Sequence, residues 1–297
     1  MTVIHPGRLY LETHQIEALS DILPYAEFLR AEAGITDQLP VDLFAILDHF
    51  GLAHPQQASL PDQQALLLDS ECGSILLNSE DPARRQRFSL AHELVEMLFS
   101  VLPQRSGLAI KPGGFSAPKK EKICDQVAAN LLMPPRYVQQ VCSTRGIHFE
   151  TAILISDECN VSRTAALVQM ARLSSRKHFV VLWRMKNKPT EIRNSSGQQQ
   201  MALFPTTNNL PPKKLRVEWS IGSPSAPYIP KDKSTEKDSL IYQAWEKGEF
   251  TSGKERMTFD NKASGWFTSE NTPFQIGADP CVLSLVEHVS GRNRELE

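Results

Sequence analysis

The stretch Arg87-Phe88-Ser89-Leu90-Ala91-His92-Glu93-Leu94-Val95-Glu96-Met97-Leu98-Phe99 constrains this chain more than any other. Phe88, Leu90, Leu94, Met97 and Leu98 make it largely apolar, so as a helix it must pack on a core, with His92 and Glu96 as polar groups beside that core. Such groups need a partner to offset desolvation. Residues four apart share nearly one helix face, so His92 and Glu96 can both point at a single metal ion, while Glu93, about 100° further round, flanks it. The pattern is that of H-E-x-x-H sites, in which two ligands one turn apart hold a metal and the intervening carboxylate takes a proton from water. Here a glutamate stands where the second histidine would be.

A third protein ligand would leave one position open, and the next helical segment offers Glu121-Lys122-Ile123-Cys124-Asp125. Glu121 is the candidate. Asp125, one turn on, is placed to accept from the free N–H of His92 and orient it. A His-Glu-Glu set neutralises a divalent ion; zinc is the expected metal, with a drift towards manganese or iron. The five cysteines, Cys72, Cys124, Cys142, Cys159 and Cys281, are scattered and never spaced C-x-x-C, which argues against both a Cys-type zinc site and a disulfide framework. They read as small buried hydrophobes.

Around this site the chain alternates in texture. Apolar residues at three- and four-residue steps predict helices over 12–32 and 41–50. Between residues 51 and 78, short apolar runs divided by Pro, Asp and Gly predict a small antiparallel sheet. Ser79-Glu80-Asp81-Pro82 then opens a helix running to about Phe99, and a second helix covers 120–133, stopped by Pro134-Pro135. The Pro-, Gly- and Lys-rich segment 102–119 reads as a surface loop or lid. Helical patterns at 149–157 and 162–173 have helix-turn-helix spacing. From residue 176 a strand-like run at 179–183, many prolines and aromatic or β-branched patches predict a mostly β domain with a charged tail after Ser290. The expected architecture is α+β in three parts: 1–135, a helix-turn-helix-like segment 136–175, and a β-rich part 176–297.

Arg87 to Glu93 resembles the R-F-[ST]-L-A-H-E opening of ImmA/IrrE-type metallopeptidases. Residues 121–134, reading E-K-I-C-D-Q-V-A-A-N-L-L-M-P, resemble the same family's E-x-x-A-[ND]-x-F-A-A-x-L-L-M-P segment, with Cys124 in place of the usual alanine and Val127 in place of phenylalanine. The resemblance spans roughly residues 10–175. It implies a gluzincin-like metallopeptidase domain of helices and a small sheet, with His92 and Glu121 as metal ligands, Glu93 as general base, and Glu96 at the second histidine's position. It further implies a protein substrate, typically a helix-turn-helix repressor, whose cleavage switches on stress, phage or mobile-element genes. Ser74, Ile75, Leu76, Leu77 and Asn78 would form the edge strand against which an extended substrate pairs. A β-rich C-terminal part would be sensory by analogy.

Two other readings share these residues: a catalytically degenerate relative that binds a repressor or DNA, and the toxin of a toxin–antitoxin pair. The intact Glu93 and Glu121 favour the enzyme. With 32 Lys+Arg against 34 Asp+Glu, a net charge of -2 gives no global field for nucleic acid or an anionic membrane. Locally, residues 136–177 carry six Arg or Lys against three Asp or Glu. That excess is modest for a DNA reader, although Arg163, Thr164, Gln169 and Arg172 could face a groove; packing on the peptidase domain or docking of substrate is favoured. No stretch approaches the ~20 apolar residues that span a bilayer, and the N-terminus lacks a basic-then-apolar signal, so a cytoplasmic location is expected.

Overall fold

The computed structural model describes residues 3–105, 117–193, 211–259 and 264–289. Its fold is mixed α+β, and contacts divide it into two compact units, Met1–Gly146 with Glu150–Gln169, and Ile147–Phe149 with Met170–Glu297.

In the first unit, helices α1 (Pro6–Thr13), α2 (Tyr25–Glu32) and α3 (Leu43–Phe50) precede three short strands, β1 (Gln56–Ala58), β2 (Ala65–Asp69) and β3 (Ser74–Asn78). The long helix α4 (Ala83–Arg105), then α5 (Ala117–Leu132), α6 (Pro135–Arg145), α7 (Phe149–Glu158) and α8 (Arg163–Leu173) follow. The helix expected over 12–32 breaks at Pro24 into a 3-10 turn, Leu19–Ile22, and α2, because proline cannot supply the amide that an uninterrupted helix needs there. Helix α4 runs past Phe99 to Arg105. Residues 106–116 of the segment read as a loop or lid lie outside the described residues, as does the tail after 289.

Leu90, Ala91, Leu94, Val95, Met97 and Leu98 of α4 are all buried. Helix α1 approaches α4 at Gly7, where an added Cβ would lie 2.8 Å from the Leu98 Cα, so only glycine permits this crossing. Buried Arg30 of α2 donates to the carbonyls of Asn130 (2.7 Å) and Leu131 (3.2 Å), satisfying the open end of α5. The α4–α5 pair is thereby fixed from both sides.

The three strands run in the order β1-β3-β2, with β1 parallel and β2 antiparallel to β3. The sheet is therefore mixed rather than purely antiparallel. Ser74, Ile75, Leu76, Leu77 and Asn78 form its central strand and not its edge, which corrects the expectation above: both flanks of β3 are hydrogen-bonded, because polar Gln56–Ala58, with no apolar signature, pairs through backbone alone. The outer strand on the apolar-run side is β2. Asn78 anchors the approach to it, donating to the carbonyls of Leu60 (2.9 Å) and Gln63 (3.2 Å).

The α7–α8 pair packs on α4 through Arg84, which reaches Ser156 Oγ (3.0 Å), Asp157 Oδ1 (3.0 Å) and Asn160 Oδ1 (3.3 Å) across the turn. Ser162 caps α8, accepting from the Ala165 amide at 3.1 Å. Gln169 is 1% exposed and donates to Asn130 Oδ1 at 2.8 Å, so it does not face a groove.

The second unit is an antiparallel sheet ordered β5-β4-β8-β7-β6, from β4 (His178–Lys186), β5 (Lys214–Gly222), β6 (Thr251–Thr258), β7 (Ser264–Ile276) and β8 (Asp279–Val289), covered by α9 (Leu240–Lys247). Its core gathers Phe179, Val181, Trp183, Val217, Ile241, Phe267, Val282 and Val286. Of the four tryptophans, Trp183 is fully buried, whereas Trp266 is 51% exposed under the Lys254 ammonium. No helix among the described residues is long and apolar enough to cross a membrane.

Candidate metal centre

Two helices and one strand enclose the site. A cleft of about 610 Å³ is lined by residues 63–67 leading into β2, by Phe88, Ser89, His92, Glu93 and Glu96 of α4, and by Lys120, Glu121 and Asp125 of α5. On α4 the i, i+4 spacing puts His92 and Glu96 on the cleft face, with His92 Nε2 3.8 Å from Glu96 Oε1. On α5 the same spacing makes two adjacent rows: Glu121 with Asp125, which meet His92, and Lys120 with Cys124, which meet Glu96.

The imidazole has a carboxylate beside each nitrogen. Nδ1 lies 3.1 Å from Asp125 Oδ1, and Nε2 lies 3.5 Å from Glu121 Oε2. Burial works against the charged ring, but the Asp125 hydrogen bond and charge, with Glu93 and Glu96 nearby, outweigh it and raise the His92 pKa. A ring whose Nδ1–H is given to a carboxylate presents the Nε2 lone pair to the cleft. Burial, reinforced by Glu96 and Glu121 against the opposing pull of His92 and Lys120, raises the Glu93 carboxyl above its ordinary value.

Glu96 has divided partners. Its Oε2 is ion-paired with Lys120, whose ammonium also sits 5.5 Å from the Phe99 ring centre. Its Oε1 accepts from Cys124 Sγ at 3.4 Å. The Cys124 side chain is fully buried, and that burial, with Glu96 beside it, pushes the thiol pKa far up.

The fold thus brings His92, Glu93, Glu96, Glu121 and Asp125 together, and leaves the strand 74–78 in the middle of the sheet. It adds Lys120, Cys124 and residues 63–67. Sequence spacing could have flagged the first two, since Lys120 and Cys124 are four apart, as Glu121 and Asp125 are. What spacing lacks is that the Lys120 row faces Glu96.

The donor atoms suit a metal. Around a tetrahedral zinc with bonds of about 2.0–2.3 Å, ligand atoms lie about 3.3–3.7 Å apart. The separations from His92 Nε2 to Glu121 Oε2 and Glu96 Oε1, 3.5 and 3.8 Å, are close to that before any adjustment. His92, Glu96 and Cys124 also form a cluster whose donor atoms all lie within 4.8 Å of one another.

Residues 56–170 match the family model described as the IrrE N-terminal-like domain, an M78 peptidase, which is a metallopeptidase type of enzyme. Among solved structures, a Mycobacterium tuberculosis transcriptional regulator is similar to this chain, with a TM-score of 0.57 and 12% identity over 95% of this chain and 79% of that one. At that identity the likeness speaks for the fold alone. No curated protein matches the chain in sequence.

Proposed function

We propose, on the premise that the chain belongs to the ImmA/IrrE peptidase family through its IrrE N-terminal-like domain at residues 56–170, that it is a single-metal endopeptidase cutting a regulatory protein. The observation that carries this reading is the approach of Glu96 Oε1 (3.8 Å) and Glu121 Oε2 (3.5 Å), from two packed helices, to His92 Nε2 in a cleft that Glu93 also lines.

In this reading His92, Glu96 and Glu121 hold the ion, zinc being the expected one, and Asp125 fixes the imidazole. A divalent ion there supplies Lewis acidity to the scissile carbonyl and to water. Glu93, whose carboxyl burial raises above its ordinary value, takes a proton from water and returns it to the departing amine nitrogen. The outer strand β2, whose approach at residues 63–67 lines the cleft, offers backbone pairing to an extended substrate, a role assigned from sequence to 74–78. A helix-turn-helix repressor is the proposed substrate class. The family resemblance supports it, and the similar fold of a transcriptional regulator is in keeping with a regulatory setting. The domain pattern 1–135, 136–175 and 176–297 is proposed as peptidase, docking segment and sensor.

A second reading has one observation behind it. The Lys120 ion pair places a fixed positive charge on Glu96, as a metal would, and a relative that had lost its metal could be held together in that way. Metal content separates the two. Protein purified without chelator is expected to carry about one equivalent by mass spectrometry, and Glu121→Ala to lose affinity by roughly 10²-fold or more, exceeding the ~10–100-fold typical of outer partners. Protein that stays metal-free after incubation with zinc or manganese would establish the second reading instead.

Asp125→Ala tests the orienting carboxylate. It keeps every proposed donor and is expected to weaken zinc binding by roughly 10–100-fold, measured by competition with a chromogenic chelator. Unchanged affinity would remove Asp125 from the site.

A further inference from the structure

Resting on the metal site proposed above, we propose that Cys124 is a fourth protein donor to the ion, so that the resting centre is His92, Glu96, Glu121 and Cys124. Two of the chain's departures from the family motifs lie 28 residues apart in sequence, and the fold brings them into contact: Glu96, in the second histidine's place, meets Cys124, in the usual alanine's place, at 3.4 Å. That separation is close to the oxygen–sulfur spacing of about 3.6 Å around a tetrahedral zinc. Sulfur, imidazole and carboxylate donors of Cys124, His92 and Glu96 lie within 4.8 Å of one another.

Lys120, ion-paired with Glu96, would offset part of the negative charge that a Cys124 thiolate adds to the donor set. The thiol proton leaves to solvent as the metal–sulfur bond forms; no oxidant or reductant takes part.

Two consequences distinguish this centre from a three-donor one. The sulfur restores a preference for zinc or cobalt over manganese, which a His-Glu-Glu set would weaken. Four protein donors also close the centre, so water or substrate enters by displacing one of them. Glu121, with its side chain 58% exposed, is the donor best placed to leave.

Cobalt(II) reports the sulfur directly, because thiolate coordination gives a near-ultraviolet charge-transfer band that imidazole and carboxylate ligands do not. The full chain titrated with cobalt is expected to show this band. Cys124→Ser and Cys124→Ala, checked for folding by circular dichroism, are expected to bind cobalt without it, and their zinc-over-manganese preference should fall by at least about tenfold. Cobalt bound to wild type with no such band would overturn the proposal while leaving the three-donor site intact. So would a band that persists in both variants, since it would come from another cysteine. Failure of wild type to bind any of the three ions would overturn the donor role and the metal site together.

Discussion

Glu93→Gln is expected to keep its metal and lose its proteolysis. The amide matches the carboxylate in size and cannot take a proton from water at neutral pH, so the change removes base chemistry while hardly altering volume. Loss of a positioned general base costs typically ~10²–10⁴-fold in rate. Glu93 is not among the proposed donors and lies one residue from His92 on the helix, about 100° round from the ligand face, so metal content should stay near one equivalent. Turnover of a peptide mixture, read by mass spectrometry on metal-loaded wild type and variant, gives the rate; metal analysis of the same samples gives occupancy. A variant that loses metal in parallel with activity would make Glu93 a ligand. One that cleaves at the wild-type rate would remove it from the chemistry. Partial burial of Glu93 in the cleft is what makes the assignment specific: an ordinary exposed glutamate would have neither the raised pKa nor the cleft.

The sequence made the α4 part of this site legible because a helix converts spacing into direction. His92 and Glu96 needed only the 3.6-residue period, and Glu121 with Asp125 needed the same rule on α5. Contacts between helices were not legible in that way. Nothing in Lys119-Lys120-Glu121-Lys122 says which lysine turns inward, and Lys120 is drawn to Glu96 only once α4 and α5 pack. The pairing of Cys124 with Glu96 is the same kind of fact. The sheet failed for another reason. Strand β1 is polar and mostly exposed, so it carries no alternation to read, yet its backbone turns β3 from an edge into a centre. Helix α1 was missed because it starts on a proline with His5 as its cap, whose Nδ1 accepts from the Arg8 amide at 3.3 Å, and because it packs through a glycine rather than an apolar stripe. Pro134-Pro135 was read as a stop only. Pro135 also begins α6, where its missing amide costs nothing.

Trp183→Ala should cost the second unit about 3–5 kcal/mol, the range for deleting a fully buried large aromatic. Trp183 has no exposed surface, stacks near Phe259 with ring centres 6.2 Å apart, and lies on β4, which is hydrogen-bonded to both β5 and β8. Its indole N–H donates to Ser284 Oγ at 3.0 Å, Ser284 donates to Asn271 Oδ1 at 2.6 Å, and Asn271 donates to Ser269 Oγ at 3.0 Å, all within the sheet. Alanine therefore leaves a cavity and also takes the first donor from a buried polar chain. Trp183→Phe separates the two losses: it keeps most of the apolar volume, and removal of the donor alone should cost about 1–3 kcal/mol. Trp266→Ala is the control. That ring is half exposed, its main electrostatic contact is the Lys254 ammonium 5.3 Å from the ring centre, and an exposed cation–π pair is worth only about 0.5–1 kcal/mol. Hydrogen exchange read on β4 and β8 follows the loss locally, without requiring the whole chain to unfold in one step. Protection should fall steeply in Trp183→Ala, moderately in Trp183→Phe and barely in Trp266→Ala. Equal losses for the two alanine variants would mean that Trp183 does not anchor this core.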